Sequence, residues 1–493
     1  MWSDRLPAAE RARLAERLRA LLPAPRARCR ASKTPLRTPK GKPPGPEPVA
    51  DELRGEPGFA WLDGGSTHPD AGHRLYVRPL ATLAVREGRA TVSGPGGSAS
   101  FAARGFDLLE AAFDAWGEAA AGATLVGYLG YELGGELEVL PPPPADDLGL
   151  PDLHLALYDR ALLWDGASWT LEATDAWHEV AGRDRSDPVL AAERLLAAAG
   201  RRPPEDPPAP PGPARGGIIS RPGRGAFEAE VERTVERIAS GEIFQMNLCR
   251  RLEAALPAAG LWPFYRRLRA ASPADHGAFL DLGEDRAVLS ISPELFLALR
   301  GRNVESRPIK GTRPRGANPR QDRALARELA ESAKDRAELT MIVDVVRNDL
   351  GRVCATGSVE VASHAGLITL PTLHHTVSTV RGRLAADAGA LELLRAAFPP
   401  ASITGAPKIQ AMASIAGTEE RRRGPAMGAL GWISLGGELE LAVAIRTAVA
   451  AAGRVAYHAG CGIVADSDPE LEFAESAVKA RAFLAALGAQ EAG

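Results

Sequence analysis

In FEAEVERTVERIASGEIFQ, Phe227, Val231, Val235 and Ile238 return at helical spacing, and Gly241 follows as a stop. Strand-like runs come next, GAFLDLGEDRAVLSISPELFLAL and NVESRPI, and then a helix is predicted over about 321–348. The stretch ALGWISLGGELELAVAIRTAVAAAGRVAYHAGCGIV reads as a three-strand antiparallel meander turning at GGE and AAGR. PELEFAESAVKARAFLAAL closes the chain as a helix, with Pro469 near its first turn. Upstream, residues 1–30 read as an Arg-rich amphipathic surface helix, and residues 32–50 as a linker or extended surface segment. From about 54 to 172 short strands dominate, interrupted by the helical FDLLEAAFDAWGEAA. Seven prolines between 201 and 217 exclude a continued helix and mark the clearest boundary.

These breaks divide the chain into an N-terminal helix and Pro-rich extension (1–50), an α/β region (51–200), a Pro/Gly-rich linker (201–221) and a strand-and-helix remainder (222–493). Strands followed by long helices, without regular βαβ repeats, predict an α+β layered fold instead of a doubly wound sheet.

At 493 residues, 45% hydrophobic and 25% charged, the chain is too long for one ordinary small core and has the content of a soluble globular enzyme. Its 59 basic and 62 acidic side chains leave a formal charge of -3, with no basic excess for a nucleic-acid surface. No run approaches the roughly 18 apolar residues of a membrane span. The N-terminal segment carries acidic residues and lacks an apolar signal core, so a surface helix is expected there and not a targeting peptide. Cys29, Cys249, Cys354 and Cys461 lie far apart and form no CxxC, which fits reduced thiols in a cytoplasmic enzyme.

The candidate chemistry starts with acids, because burying them is expensive. Glu338 follows Asp335 by three residues, ahead of an apolar LTMIV stretch. Glu472 and Glu475 repeat that spacing in the last helix, with Lys479 one turn beyond. Two carboxylates per helix can together hold a hard divalent cation such as Mg²⁺, and spacing alone leaves a solvated helix face as the alternative. In SRPIKGTRPRG, Lys310 stands among Pro308, Gly311, Pro314 and Gly316, where a strand is expected to give way to a turn. A lysine fixed there and stripped of water favours the neutral amine, a nucleophile or base, while an anchor for a phosphate or carboxylate is the ordinary alternative. Ser402, Thr404, Gly405 and Lys408 surround a tight turn whose hydroxyls and N–H groups suit a carboxylate. Arg446 is expected on an apolar strand, where its guanidinium needs an anionic partner. Gly460 and Gly462 add backbone donors, and His375 is either a substrate contact or a satisfied structural histidine. Together these residues describe a site for a small anion bearing more than one carboxylate, assisted by a divalent metal.

The chain resembles the chorismate-utilising enzymes. GEIFQMNLCR, SPELF, RPIKGTRPRG, DRAELTMIVDVVRNDLGRV, HTVSTVRG, SITGAPKIQAM, AIRT and AGCGIVADSDPELEFAE carry the resemblance in order across residues 222–490, and GFAWLDGG and GYLGYE extend it more loosely upstream. The resemblance implies two packed antiparallel sheets flanked by helices, with 222–493 as the chorismate-binding catalytic domain and the N-terminal half built into the same assembly. It assigns Glu338 and Glu475 as Mg²⁺ ligands with Glu472 beside the metal. It places Ser402, Arg446, Gly460, Gly462 and Lys479 against substrate, and His375 near the ring carboxylate. Glu294 is implied as the general acid on the departing 4-hydroxyl.

Within that family, PIKGT resembles the members that make 4-amino-4-deoxychorismate for 4-aminobenzoate and folate, where the lysine attacks C2 of chorismate. The anthranilate-forming branch carries PIAGT and is the alternative reading. Many relatives have a bulkier residue near Ala426, a departure that bears on pocket width. No cysteine lies in the GxCxG context of a class I glutaminase, so the resemblance implies a separate glutaminase subunit as the ammonia source. A catalytically silent binding subunit is the reading from another class, and a retained charged pocket speaks against it.

Overall fold

The computed structural model describes residues 6–25, 29, 31–38, 42–64, 72–117, 119–174, 176–177, 187–201, 217–370 and 373–489. The predicted linker at 201–221 falls mostly outside the described residues.

Two twelve-stranded sheets form the frame, each a path of eleven strands with one more paired off it, Gly405–Ala406 in the first and Glu360–Thr369 in the second. The first runs from Ser32–Pro35 through Trp169–Ala173, Arg160–Trp164, His73–Tyr76, Ala60–Asp63, His276–Gly283, Arg286–Ser292, Thr447–Ala451, Arg454–Ile463 and Gln245–Ala255 to Ile219–Arg221. The second runs from Ile309–Pro314 through Leu373–Arg383, Asn303–Arg307, Leu295–Arg300, Leu439–Val443, Ala429–Ser434, Thr124–Leu129, Leu153–Tyr158, Ala81–Arg86 and Arg89–Gly94 to Gly97–Ala102. Each sheet takes strands from both sides of the proline-rich stretch, so the N-terminal region completes the sheets of the C-terminal one. The inner faces meet through small and aromatic residues, Ala60, Tyr76, Ala278 and Val449 from one sheet against Val126, Tyr158, Leu430 and Trp432 from the other. Separate apolar clusters bind the helices to the outer faces. This is the α+β architecture of packed antiparallel sheets that the sequence predicts.

Local predictions fail where chain direction changes. The stretch at 429–464 is not a three-strand meander. Ala429–Ser434 pairs with Leu439–Val443 in the second sheet, and Thr447–Ala451 pairs with Arg454–Ile463 in the first. Arg446, at φ 49°, turns the chain from one sheet to the other, so it sits at a crossover and not on a strand. The strands on both sides are buried except for the half-buried Glu440, and hydrophobicity therefore carries no mark of the switch. The predicted helix over 321–348 is two helices, Pro319–Glu331 and Ala333–Gly351. They are broken at Ser332, whose side chain accepts from the Asp335 amide at 3.2 Å as a cap. Residues 32–50 are not a plain linker, since Ser32–Pro35 joins the sheet edge and Pro46–Leu53 is a helix burying Val49 and Ala50. The first helix, Ala8–Leu21, does lie at the surface, but it seats Leu14, Ala15, Leu18 and Leu21 in the core.

Candidate active site

Two crossovers between the sheets lie side by side, and each carries a charged side chain. The first passes from Arg286–Ser292 to Leu295–Arg300 through Glu294, and the second from Leu439–Val443 to Thr447–Ala451 through Arg446. They are stitched together: Val443 N–H donates to the Glu294 carbonyl (3.0 Å), Ser292 Oγ to the Val443 carbonyl (2.6 Å), and Ile291 N–H to the Arg446 carbonyl (3.1 Å). An element that leaves one sheet cannot continue its ladder, so its side chains are free to face a cleft.

Glu294 is 3% exposed, and burial pushes its carboxyl up to about 7. The Ser402 hydroxyl, Lys310, the Ile309 amide and Arg446 pull it back down without winning. A carboxylic acid that keeps its proton to near neutrality is a competent general acid. Any step in which Glu294 donates a proton should therefore slow as pH rises through about 7. Glu294→Gln should remove that limb from the pH–rate profile; a limb that persists belongs to another group. Ser402, in the short 3-10 turn Ala401–Ile403, points its buried hydroxyl toward Glu294 without closing a hydrogen bond of good geometry.

Lys310 lies within the strand Ile309–Pro314, as its second residue, and not at the turn that the sequence suggests. Its carbonyl accepts from Thr376 Oγ1, and a register shift between Lys310 and Thr312, with Gly311 at φ 70°, re-aims the strand. The lysine spans to the other sheet. A methyl at Gly462 would meet Lys310 Nζ at 2.9 Å and Gln245 Nε2 at 2.3 Å, so glycine lets both side-chain ends lie over this strand where a larger residue would displace them. Nothing in its spacing singles out Gln245 in the sequence. It is 1% exposed, its Nε2 stands over Gly462 as Lys310 Nζ does, and its Oε1 has no hydrogen-bond partner among the described residues.

His375, on Leu373–Arg383, has a defined tautomer. Arg446 can only donate, so its contact at 3.2 Å makes His375 Nε2 the acceptor. The proton then sits on Nδ1 and is donated to the Gly311 carbonyl at 3.2 Å. Burial and the neighbouring Arg446 lower its pKa to about 3, which keeps the ring neutral. Arg446 itself is half-buried, makes no ion pair among the described residues, and is lowered from its ordinary value by desolvation.

The acids gather from two helices, Glu338 from Ala333–Gly351 and Glu472 and Glu475 from Pro469–Leu487. Donor atoms of Glu472, Glu475 and Cys461 lie within 4.8 Å of one another. Burial raises Glu338; Lys310 and Lys334 oppose the rise, and Glu475 and Glu472 add to it. Lys479, one turn away, holds Glu475 below the usual carboxylate range. It does so through a 2.7 Å ion pair, and it also donates to the Gly460 carbonyl at 2.8 Å. Carboxylates that repel one another across two helices can hold a hard divalent cation, and their oxygen donors suit Mg²⁺. Cys461, read from the sequence only as an isolated thiol, adds a sulfur to that corner. Lys408 is used otherwise: it bonds Asp349 (2.6 Å) and the Ala397 and Pro399 carbonyls, a structural clamp. A groove of about 630 Å³ lined by Arg300, Glu305, Arg307 and Arg381 contains none of the predicted site residues.

A lysine, a protonatable glutamate, an arginine without an ion pair among the described residues and a carboxylate cluster, brought together between the two sheets, suit a small polyanion. The family model of the chorismate binding enzymes matches residues 59–485, and the chain belongs to that family. It is 41% identical over 381 residues to anthranilate synthase component 1 of Streptomyces coelicolor, covering 75% of this chain and 73% of that one. It is 39% identical over 351 residues to aminodeoxychorismate synthase component 1 of Salmonella typhimurium, covering 71% and 74%. Among solved structures it is similar to anthranilate synthase component I from Streptococcus pneumoniae, with a TM-score of 0.71 and 27% identity over 84% of this chain and 92% of that one.

Proposed function

We propose that this chain is the synthase component that converts chorismate and ammonia to 4-amino-4-deoxychorismate, on the route to 4-aminobenzoate and folate in the cytoplasm. The observation that carries this reading is Lys310, whose Nζ stands over Gly462 and whose charge, with that of Arg446, acts on Glu294. In the reaction, the Lys310 nitrogen bonds to C2, both double bonds of the ring diene shift, and the C4–O bond breaks as Glu294 gives its proton to the leaving oxygen, releasing water. Ammonia then bonds to C4, both double bonds shift back, the C2–N bond to Lys310 breaks, and the proton lost by the added nitrogen returns to Glu294. The lysine is regenerated. Arg446 and the turn at Ser402 hold substrate carboxylates, with neutral His375 beside the ring carboxylate and Gly460, Gly462 and Lys479 forming the floor. Glu338 and Glu475, with Glu472 beside them, would hold Mg²⁺, which when bound supplies positive charge against a substrate carboxylate.

Synthesis of anthranilate is the second reading, favoured by the 41% identity to a relative of that name. Incubating the chain with chorismate, ammonium and Mg²⁺ separates the two, since the products differ in mass and only anthranilate fluoresces. The expected product is 4-amino-4-deoxychorismate, formed from ammonium by the chain alone and from glutamine only when a glutaminase subunit is added. Fluorescent anthranilate as the main product would overturn the assignment, and glutamine-driven turnover by the pure chain would overturn the need for a partner.

A further inference from the structure

The carboxylate cluster already faces a cation that belongs to the chain. Lys334, in the first turn of Ala333–Gly351, places Nζ 3.5 Å from a Glu472 oxygen. Glu472 is buried, whereas half of the Lys334 side chain is exposed. Glu472 also accepts from Ser467 Oγ at 2.7 Å, which fixes the carboxylate that Lys334 approaches. The same ammonium is coupled to Glu338 and Glu475, so its charge acts on all three acids. Two further ammoniums act on the cluster: Lys479 through its ion pair to Glu475, and Lys310 through its attraction to Glu338 and Glu475. Three carboxylates thus face three lysines.

Of these lysines, Lys479 is tied to the Gly460 carbonyl and Lys310 reaches over Gly462. Lys334 has neither tie. Its ion pair to Glu472 joins the N-terminus of one helix to the first turn of another, and among the described residues it has no other ion pair. Its long stem also lets the head move into water. We propose that Lys334 is a built-in counter-ion that competes with a divalent cation for the carboxylates of Glu472, Glu475 and Glu338. This rests on reading those three glutamates as metal ligands. A divalent ion that enters the cluster must give up part of its attraction to the acids, because Lys334 already balances one of them and repels the newcomer. Removing that charge strengthens the hold of the acids on the ion.

The test uses Mn²⁺ as the probe, with free Mn²⁺ followed by its electron paramagnetic resonance signal while the full chain is titrated at low ionic strength without substrate. Lys334→Gln should bind Mn²⁺ roughly three- to tenfold more tightly than the parent, the range expected when one partly screened ion pair is removed from a partly buried site. Lys334→Met should behave the same way, and Lys334→Arg should match the parent. Added salt should narrow the difference. If Glu475→Gln weakens Mn²⁺ binding while Lys334→Gln and Lys334→Met bind no tighter than the parent, the counter-ion role is wrong and the metal reading stands. If Glu475→Gln binds as well as the parent, or no variant binds at all, the metal reading fails and the counter-ion role falls with it. Equal melting temperatures among the variants confirm that folded protein is being compared.

Discussion

Lys310→Ala should lose 4-amino-4-deoxychorismate synthesis by about a thousandfold or more, the scale seen when an enzyme's nucleophile is deleted. The fold should be unaffected. Among the described residues the Lys310 side chain makes no ion pair, and the residue's tie to the sheet is the backbone carbonyl that accepts from Thr376. Truncating a half-buried side chain at a cleft removes no apolar plug, so the melting temperature should stay within the usual range for surface changes. A second consequence is electrostatic. Lys310 is one of the charges that pull the Glu294 carboxyl down, so its removal should move Glu294 further up and push the pH limb to higher values. Quenching the parent with chorismate and no nitrogen donor should leave a chorismate-derived mass on the peptide bearing Lys310. If no adduct is found and Lys310→Ala still makes the 4-amino product at the parent rate, the nucleophilic role is wrong. Any anthranilate formed by the variant would show ammonia arriving at C2 in place of C4.

What the sequence could display depended on how local the information was. Lys310, Glu294 and Arg446 stand in short motifs, SRPIKGT, SPELF and AIRT, and each could be singled out by its neighbours. Their meeting could not be read from alternation. Glu294 and Arg446 lie on crossovers between sheets, and the strands entering and leaving them are buried on both faces, so the apolar pattern runs on unbroken through the switch. The same continuity produced a single meander at 429–464 where two hairpins belong to two sheets. Ser332 could have been recognised as a helix start, since it stands three residues before Asp335, yet the periodicity on both sides hid the break. Gln245, Lys334 and Cys461 are silent in the sequence for a different reason. A glutamine, a lysine and a lone thiol have no distinguishing spacing, and their place beside Lys310, Glu472 and Glu475 comes from helix and strand packing.

Arg446→Met should separate activity from stability. The guanidinium is half-buried at the crossover with no carboxylate paired to it among the described residues, and its one side-chain hydrogen bond goes to His375 Nε2. Desolvation lowers it from its ordinary value, so the folded protein holds this charge at a cost that a bound anion would offset. Methionine keeps much of the volume and the unbranched stem without the charge. It leaves His375 Nε2 without its donor, a loss of about 1 kcal/mol, which the relief of the buried cation offsets. The melting temperature of Arg446→Met should therefore equal or exceed that of the parent. Catalysis should move the other way. Deleting the charged partner of a desolvated carboxylate typically costs 2–5 kcal/mol or so, which predicts a fall in kcat/KM of about thirtyfold to several thousandfold, with KM for chorismate carrying a large share. Stabilised, nearly inactive protein is the signature of a cation retained for substrate. A variant that melts well below the parent would show instead that Arg446 supports the crossover, and one with unchanged KM and kcat would show that the substrate carboxylate is held elsewhere.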